Sequence, residues 1–195
     1  MYILESKFKN NILNTKDFNN SIIYNFIKIL FYTISLSISA KIKFYLPFSV
    51  VPFTFQMLVI FFIIFNENKK IAFLTIFSYI LAGIFGLPVF SNSNGIMTIL
   101  GPTGGYIIGF LFSSLTAVEE KNISKVNNKK IQRYLFLTIK GISAITIIYL
   151  FGFLGLLRFM NPDIAFLNGV LPFIIFDFYK LFIAILIYSK INFIG

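Results

Sequence analysis

The sequence predicts an all-α integral membrane protein: a six-transmembrane-helix bundle with outward loops capping a ligand pocket. Three observations predict this class: 57% of the 195 residues are hydrophobic, the mean hydropathy is +0.85, and only 12% of residues are charged. A water-soluble domain of this length needs far more charge on its surface, so we expect the chain in a lipid bilayer. Six apolar runs supply the helices. They lie at residues 22–40, 53–65, 71–87, 103–118, 134–157 and 170–189.

The whole chain, 1–195, is expected to form a single membrane domain. Residues 1–20 are polar and lack the apolar core and small-residue cleavage site of a signal peptide, so they predict a cytoplasmic N-terminal segment. The six helices then follow within 21–195, and the run at 53–65 is short for a full crossing.

The distribution of basic residues predicts the orientation. With the N-terminus inside, the segments on the inner side hold eleven lysines and arginines and those on the outer side hold three. The outer three are Lys41, Lys43 and Arg158. Because inner loops of membrane proteins are enriched in positive charge, we expect a multi-pass protein of the cytoplasmic (inner) membrane with both termini in the cytoplasm. The longest inner loop is predicted at 119–133.

Composition also excludes several functions. The net charge of +10 is spread over short polar gaps between apolar runs, so nucleic-acid binding is not expected. The chain has no cysteine and no histidine, which removes the commonest nucleophile, general base and metal ligands. No phosphate-binding GxxxxGK[ST] loop occurs, so the chain should not hydrolyse ATP itself. We predict no cofactor, no metal site and no enzymatic activity.

Three outer segments are rich in turn-forming residues and poor in charge: 41–52, 88–102 and 158–169. Irregular backbone near a membrane needs protein or water around it to satisfy its hydrogen bonds. Three such segments on one side therefore indicate a cavity lined by these loops.

Two opposite charges, Asp177 and Lys180, lie inside the last apolar run. An ionised side chain at mid-membrane costs about 3 kcal/mol on insertion scales, so such residues usually face a cavity or a partner. Three residues apart, the two share one face of a helix. The pair can bind a polar ligand, or it can be an internal ion pair with a snorkelling lysine.

Three motifs carry a resemblance to a known family. They are VPFTFQ (51–56), GLPVFSNSNGIMTILGPTGGYIIGF (86–110) and GVLPFIIFDFYKLFIA (169–184). Together they resemble, in order, the V-P-x-T-x-Q, G-L-P-V-F with G-P-T-G-G-Y-x-x-G-F, and G-x-x-P-F-x-x-x-D-x-x-K patterns of the BioY family. These proteins are the biotin-binding membrane subunits (S components) of energy-coupling-factor (ECF) transporters.

The resemblance implies a six-helix bundle that binds biotin from outside and delivers it inward. It also implies partners in the membrane and the cytosol: an ECF coupling transmembrane subunit, two cytosolic ATPase subunits and membrane lipid. Some members of the family are proposed to work without a coupling module, so a solitary carrier is one alternative. An S component for another vitamin is a second, and a lipid-modifying membrane enzyme is a third.

The family motifs place the binding residues. Asp177 is expected to accept hydrogen bonds from the urea N–H groups of biotin, and Lys180 to meet either the tail carboxylate or the urea oxygen. Asn92 is a second candidate for the urea ring, or else a turn residue bonded to its own backbone. Tyr106 is expected to wall the pocket or donate its hydroxyl, or else to serve in ordinary packing. Gln56, which opens the second helix within reach of the first loop, is a further biotin-binding candidate on the motif match, or else it caps that helix or meets water.

Several small residues are expected to act by letting backbones approach each other or the ligand closely. Gly101, Gly104 and Gly105 permit tight turning and close approach, so they predict part of the pocket lid and lining. In the first helix, Ser35 and Ser39 recur at four-residue spacing. In S components such a position meets the coupling subunit, usually through alanines; internal packing against another helix is the alternative.

Overall fold

A computed structural model describes the backbone of residues 2–47, 49–92, 94–118 and 130–192, and the side chains of these residues from 21 to 191 except Lys130. Most of the predicted inner loop, at 119–129, lies outside the described residues. Eight α-helices, a 3-10 helix at Ser114–Thr116 and a short antiparallel hairpin occur along the described chain. They are α1 (Tyr2–Lys41), β1 (Lys43–Phe44), β2 (Phe53–Thr54), α2 (Gln56–Asn66), α3 (Lys69–Ile84), α4 (Ile96–Leu100), α5 (Gly104–Ser113), α6 (Lys130–Leu156), α7 (Pro162–Gly169) and α8 (Leu171–Asn192).

The helical membrane class is confirmed by this arrangement. Among the residues that the structure describes, three stretches are long and apolar enough to cross a bilayer: Ser21–Lys41, Ile131–Leu156 and Pro162–Ile191. Two shorter apolar helices, Gln56–Asn66 and Gly104–Thr116, accompany them. Many large apolar side chains are exposed on the helix surfaces, an arrangement that suits hydrocarbon rather than water.

The three turn-rich segments hold more regular structure than their composition suggests. Phe53 and Thr54, expected to begin the second helix, instead form β2 and pair with β1 in the register Lys43↔Thr54 and Phe44↔Phe53. The pairing satisfies backbone groups that a helix would otherwise have to satisfy. Further along, α7 occupies the segment after Arg158, and Pro162 stands in its first turn, where a missing N–H costs nothing.

Helices α5 and α6 pack closely together, and glycines make this contact possible. A Cβ atom at Gly105 would lie 2.3 Å from the carbonyl oxygen of Phe151 and 3.0 Å from the Cα of Gly155. A Cβ at Gly109, one turn later, would lie 2.9 Å from the Cα of Ile148. Without side chains at these positions the two backbones pack directly against each other, as small residues allow in membrane helices.

Helix α1 packs on α2 and α3 at the edge of the molecule. Only 6% of its most apolar stretch, which lies within Ser21–Lys41, is buried. A salt bridge between Lys28 Nζ and Glu67 Oε1, at 2.9 Å, ties it to the end of α2. Ser39 is 5% exposed and donates to the carbonyl of Leu36, and Ser35 donates to the carbonyl of Phe31. Ser39 therefore packs inside the protein in this conformation, which fits the internal-packing alternative for that residue.

Candidate functional site

A cavity opens between the hairpin, α2, α3, α5, α6 and α8. Its apolar walls include Met57, Ile107, Phe110, Ile148 and Phe173. The polar side chains that line the cavity come from all six of these elements, from the α3–α4 loop and from the α4–α5 loop. They are Thr54, Gln56, Tyr79, Ser91, Thr103, Tyr106, Tyr149, Asp177 and Lys180. An apolar chamber with a few convergent polar groups is the usual form of a small-molecule site.

The charged pair of α8 faces this cavity. Asp177 is 4% exposed and Lys180 is 5% exposed, and Lys180 Nζ lies 2.8 Å from Asp177 Oδ1. Their neighbours on the same helix, Phe176 and Tyr179, are exposed on the outer surface of the molecule. The helix thus turns its two charges inward, as burial costs require, while Phe176 and Tyr179 face outward.

Each member of the pair has a second protein partner. The hydroxyl of Tyr149 in α6 donates to Asp177 Oδ2 at 2.6 Å. Lys180 Nζ donates to the carbonyl of Thr54 at 2.8 Å and lies 3.7 Å from the ring centroid of Phe53. A carboxylate offers about four acceptor positions and an ammonium three donors, so both groups keep capacity for a ligand.

A continuous series of hydrogen bonds leads from Lys180 toward the loop after α3. Thr54 Oγ1 donates to Gln56 Oε1 at 3.2 Å, and Gln56 Nε2 donates to the Tyr79 hydroxyl at 2.8 Å. Tyr79 in turn donates to the carbonyl of Val89 at 3.3 Å. Gln56 is therefore buried in the cavity wall, with its amide held in a fixed orientation by its two neighbours.

Tyr106 lines the cavity from α5 and is 7% exposed. Its hydroxyl donates to the carbonyl of Gly169 at 2.7 Å, at the junction of α7 and α8. Its ring lies where a Cβ atom at Gly152 of α6 would stand, 2.3 Å from the nearest ring atom. Tyr106 is thus a fixed wall whose oxygen can still accept a hydrogen bond from a ligand.

Asn92 is exposed and stands at the outer rim rather than in the cavity lining. Its Oδ1 accepts from the hydroxyl of Tyr45 at 2.7 Å and from Lys43 Nζ at 3.3 Å. These bonds join the α3–α4 loop to the hairpin. The cavity is lined instead by its neighbour Ser91.

Gly101 and Gly104 lie where α4 meets α5. A Cβ at Gly104 would lie 1.8 Å from the carbonyl oxygen of Ile99, and one at Gly101 would lie 3.1 Å from that of Met97. Of this loop, Thr103 lines the cavity directly.

Sequence reasoning missed Tyr149, Tyr79 and Thr103. Tyr149 is 28 residues from Asp177 along the chain, and Tyr79 is 23 residues from Gln56, so no local spacing relates either pair. A tyrosine within an apolar run is a weak indication of a binding residue, because the sequence does not show whether that face of the helix points toward a cavity or toward lipid. Within the described residues, no three acidic side chains lie together as metal ligands.

Comparisons with known proteins agree with one another. The BioY family profile matches residues 9–194. The biotin transporter BioY of Thermotoga maritima is 34% identical over 150 residues, which cover 75% of this chain and 84% of that protein. A probable biotin transporter BioY of Rickettsia prowazekii is 32% identical over 197 residues, covering 98% and 96%.

The fold also has a solved counterpart. The crystal structure of the S-component for biotin from an ECF-type ABC transporter superposes with a TM-score of 0.76 at 21% identity, covering 91% of this chain and 95% of that one. A profile match over nearly the whole length, with relatives above 30% identity, establishes the relationship: this chain belongs to the BioY family.

Proposed function

We propose that the chain binds biotin in the cavity described above and takes it up across the cytoplasmic membrane as the substrate-specific subunit of an ECF-type transporter. The single observation that carries this function is the buried Asp177–Lys180 pair, which faces a lined cavity in a BioY-family chain. Curated relatives over most of the chain are biotin transporters. Transport, rather than catalysis on lipid, is accordingly the role of this membrane protein.

The chemistry of the pair suits the urea group of biotin. In a cyclic urea the N–H and the C=O lie side by side, one a donor and the other an acceptor. Asp177 and Lys180 present an acceptor and a donor side by side, 2.8 Å apart. Asp177 then accepts from the urea N–H and Lys180 donates to the urea oxygen. Charge-assisted hydrogen bonds of this type contribute about 1.5–3 kcal/mol each.

The remaining candidates have supporting roles in this proposal. Gln56 and Tyr106 line the cavity and offer further hydrogen-bonding atoms to the ring system, while Asn92 acts at the rim. Gly101, Gly104 and Gly105 shape the wall between α4, α5 and α6. The apolar side chains between them provide the surface that the thioether ring and the four-carbon tail require.

In the membrane, we propose six crossings within one domain that spans 1–195, with residues 1–20 and both termini on the cytoplasmic side. The six apolar runs and the concentration of lysines in the inner segments support this arrangement. The cavity, the hairpin and the α3–α4 loop then lie toward the outer side. There the loops cap the pocket.

Purified protein is expected to bind biotin with 1:1 stoichiometry. Titration calorimetry measures the stoichiometry, and mass spectrometry of the purified protein detects biotin that copurifies. Thiamine and riboflavin serve as control ligands, because an S component for another vitamin would prefer one of its own. Absence of heat and of any thermal shift with biotin contradicts the proposal.

The proposed partners are an ECF coupling transmembrane subunit, two cytosolic ATPase subunits and the surrounding lipid. The exposed apolar side of α1, with Ser35 partly accessible on it, is the surface we assign to the coupling subunit. The alternative is a carrier that acts alone.

Uptake of labelled biotin in a host with and without the ATPase module distinguishes the two modes. We expect uptake to fall to background without the module, because the chain itself has no ATP-binding loop. Uptake that ignores the module favours the solitary carrier.

A further inference from the structure

Two lysines, Lys41 at the end of α1 and Lys43 in β1, bond to the α3–α4 loop, whose Ser91 lines the cavity; we call them the rim lysines. Lys41 Nζ donates to the carbonyl of Phe90 at 2.6 Å, and Lys43 Nζ donates to the carbonyl of Ser91 at 2.6 Å. Ser91 lines the cavity, so the ammonium of Lys43 is one hydrogen bond away from its wall. The rim lysines therefore bring two positive charges to the entrance.

These charges have no acidic counterpart among the residues that the structure describes. The salt bridges found there are Lys28–Glu67 and Lys180–Asp177, whereas the hydrogen bonds of the rim lysines go to neutral oxygens, and Lys43 Nζ also lies 5.3 Å from the ring centroid of Tyr45. A neutral carbonyl is a weaker partner for an ammonium than a carboxylate is. An anion that reaches the rim can therefore replace these acceptors with a gain in free energy.

The deep end of the cavity is unsuited to an anion. Asp177 and Lys180 neutralise each other there, and a ligand carboxylate beside them would be repelled by Asp177. The urea, which is neutral and carries a donor and an acceptor side by side, fits that pair without such repulsion. The tail carboxylate of the ligand therefore requires a different cation as its partner.

The hairpin brings the two regions within reach of one ligand. Lys43 pairs with Thr54 across the strands, and the carbonyl of Thr54 accepts from Lys180 Nζ at 2.8 Å. Thr54 and Ser91 both line the cavity, and Lys43 Nζ donates to the carbonyl of Ser91, so the hairpin joins the charged pair and the Lys43 ammonium to the same chamber. The flexible side chain of Lys43 adds further reach.

Resting on the proposed function, we infer that Lys43, supported by Lys41, is the subsite for the carboxylate of biotin. The urea binds at Asp177 and Lys180, and the carboxylate takes the place of the Ser91 and Asn92 oxygens on the Lys43 ammonium. The rim lysines then select for a ligand with an anionic tail, while the deep pair selects for the urea.

The test compares biotin with biotin methyl ester, which keeps the urea and the rings but has no charge on its tail. Wild-type protein is expected to bind the ester at least tenfold more weakly than biotin, a difference of about 1.4 kcal/mol.

The variants locate the group responsible for this difference. Lys43→Gln is expected to weaken biotin binding by a similar factor and to leave ester binding nearly unchanged, so the preference for biotin over the ester disappears. Lys43→Arg should retain it. Arg158→Gln, which removes a cation from the same predicted side away from the cavity, is the matched control and should change neither affinity.

The outcomes distinguish a failure of the proposed function from a failure of the carboxylate subsite. If the wild-type protein binds neither compound, the proposed function fails. If the wild type binds both compounds equally, or if Lys43→Gln keeps the full preference for biotin, the carboxylate subsite is refuted while biotin binding stands. Lys43→Met, which keeps the apolar stem of the side chain, replaces Lys43→Gln if the latter does not fold.

Discussion

Asp177→Asn is expected to weaken biotin binding by at least about tenfold, about 1.4 kcal/mol. Asparagine keeps the size of the side chain but replaces one acceptor oxygen by an NH2 group and removes the charge. The urea N–H loses a charged acceptor, and Lys180 loses the partner that lies 2.8 Å away. Lys180→Ala is expected to cost at least as much, because it removes the donor for the urea oxygen and leaves Asp177 buried without a cation. Titration calorimetry with biotin measures both losses.

The stability of the same variants separates binding from folding. Removing one member of a buried ion pair typically costs about 3–5 kcal/mol, whereas removing both charges together costs far less. We therefore expect each single variant to unfold at a lower temperature than Asp177→Asn/Lys180→Gln, and we expect the double variant still not to bind biotin. Thermal unfolding without ligand checks the order.

A matched control for the pair lies on the same helix. Tyr179→Phe alters a side chain that is 65% exposed and faces away from the cavity, so biotin affinity and unfolding temperature should stay at the wild-type values. Wild-type affinity in either Asp177→Asn or Lys180→Ala would refute the assignment of the pair to the ligand.

Gly105→Val is expected to prevent the close packing of α5 on α6. A Cβ there would stand 2.3 Å from the carbonyl oxygen of Phe151, and backbone atoms cannot rotate away as a side chain can. Even Gly105→Ala should cost about 1–3 kcal/mol, the usual range for overpacking, and valine should cost more. Since Tyr106 and Ile107 follow directly and line the cavity, biotin binding should fall together with stability. Thermal unfolding and calorimetry measure the two effects.

The control for Gly105 is Thr146→Val in α6. Thr146 is exposed and bonds only to the carbonyl of Ile142 in its own helix, so this substitution should leave the unfolding temperature nearly unchanged. If Gly105→Val unfolded at the wild-type temperature and bound biotin normally, the contact between the two helices would be looser than described.

The parts of the site that could be predicted were those set by local patterns. Asp177 and Lys180 are visible in the sequence because two charges interrupt an apolar run, and three-residue spacing places them on one helix face. The helical membrane class follows from apolar runs, which depend on composition over about twenty residues and not on tertiary contacts.

The parts that could not be predicted depend on distant segments. Tyr149 reaches Asp177 from another helix, and Asn92 meets Tyr45 across 47 residues of sequence. Phe53 and Thr54 look like the start of an apolar helix, but pairing with β1 draws them into a hairpin. The burial of Ser39 likewise depends on which face of α1 packs against the rest of the protein, and the sequence alone does not show this.

The hydrogen bonds that run from Lys180 through Thr54, Gln56 and Tyr79 to Val89 have a mechanical consequence. They cross four segments of the chain in series, so a displacement at the charged end strains each link in turn. The polar groups of the protein itself therefore connect the charged pair with the α3–α4 loop, so a substitution that breaks one link, such as Gln56→Leu, is expected to loosen that loop as well as the cavity wall.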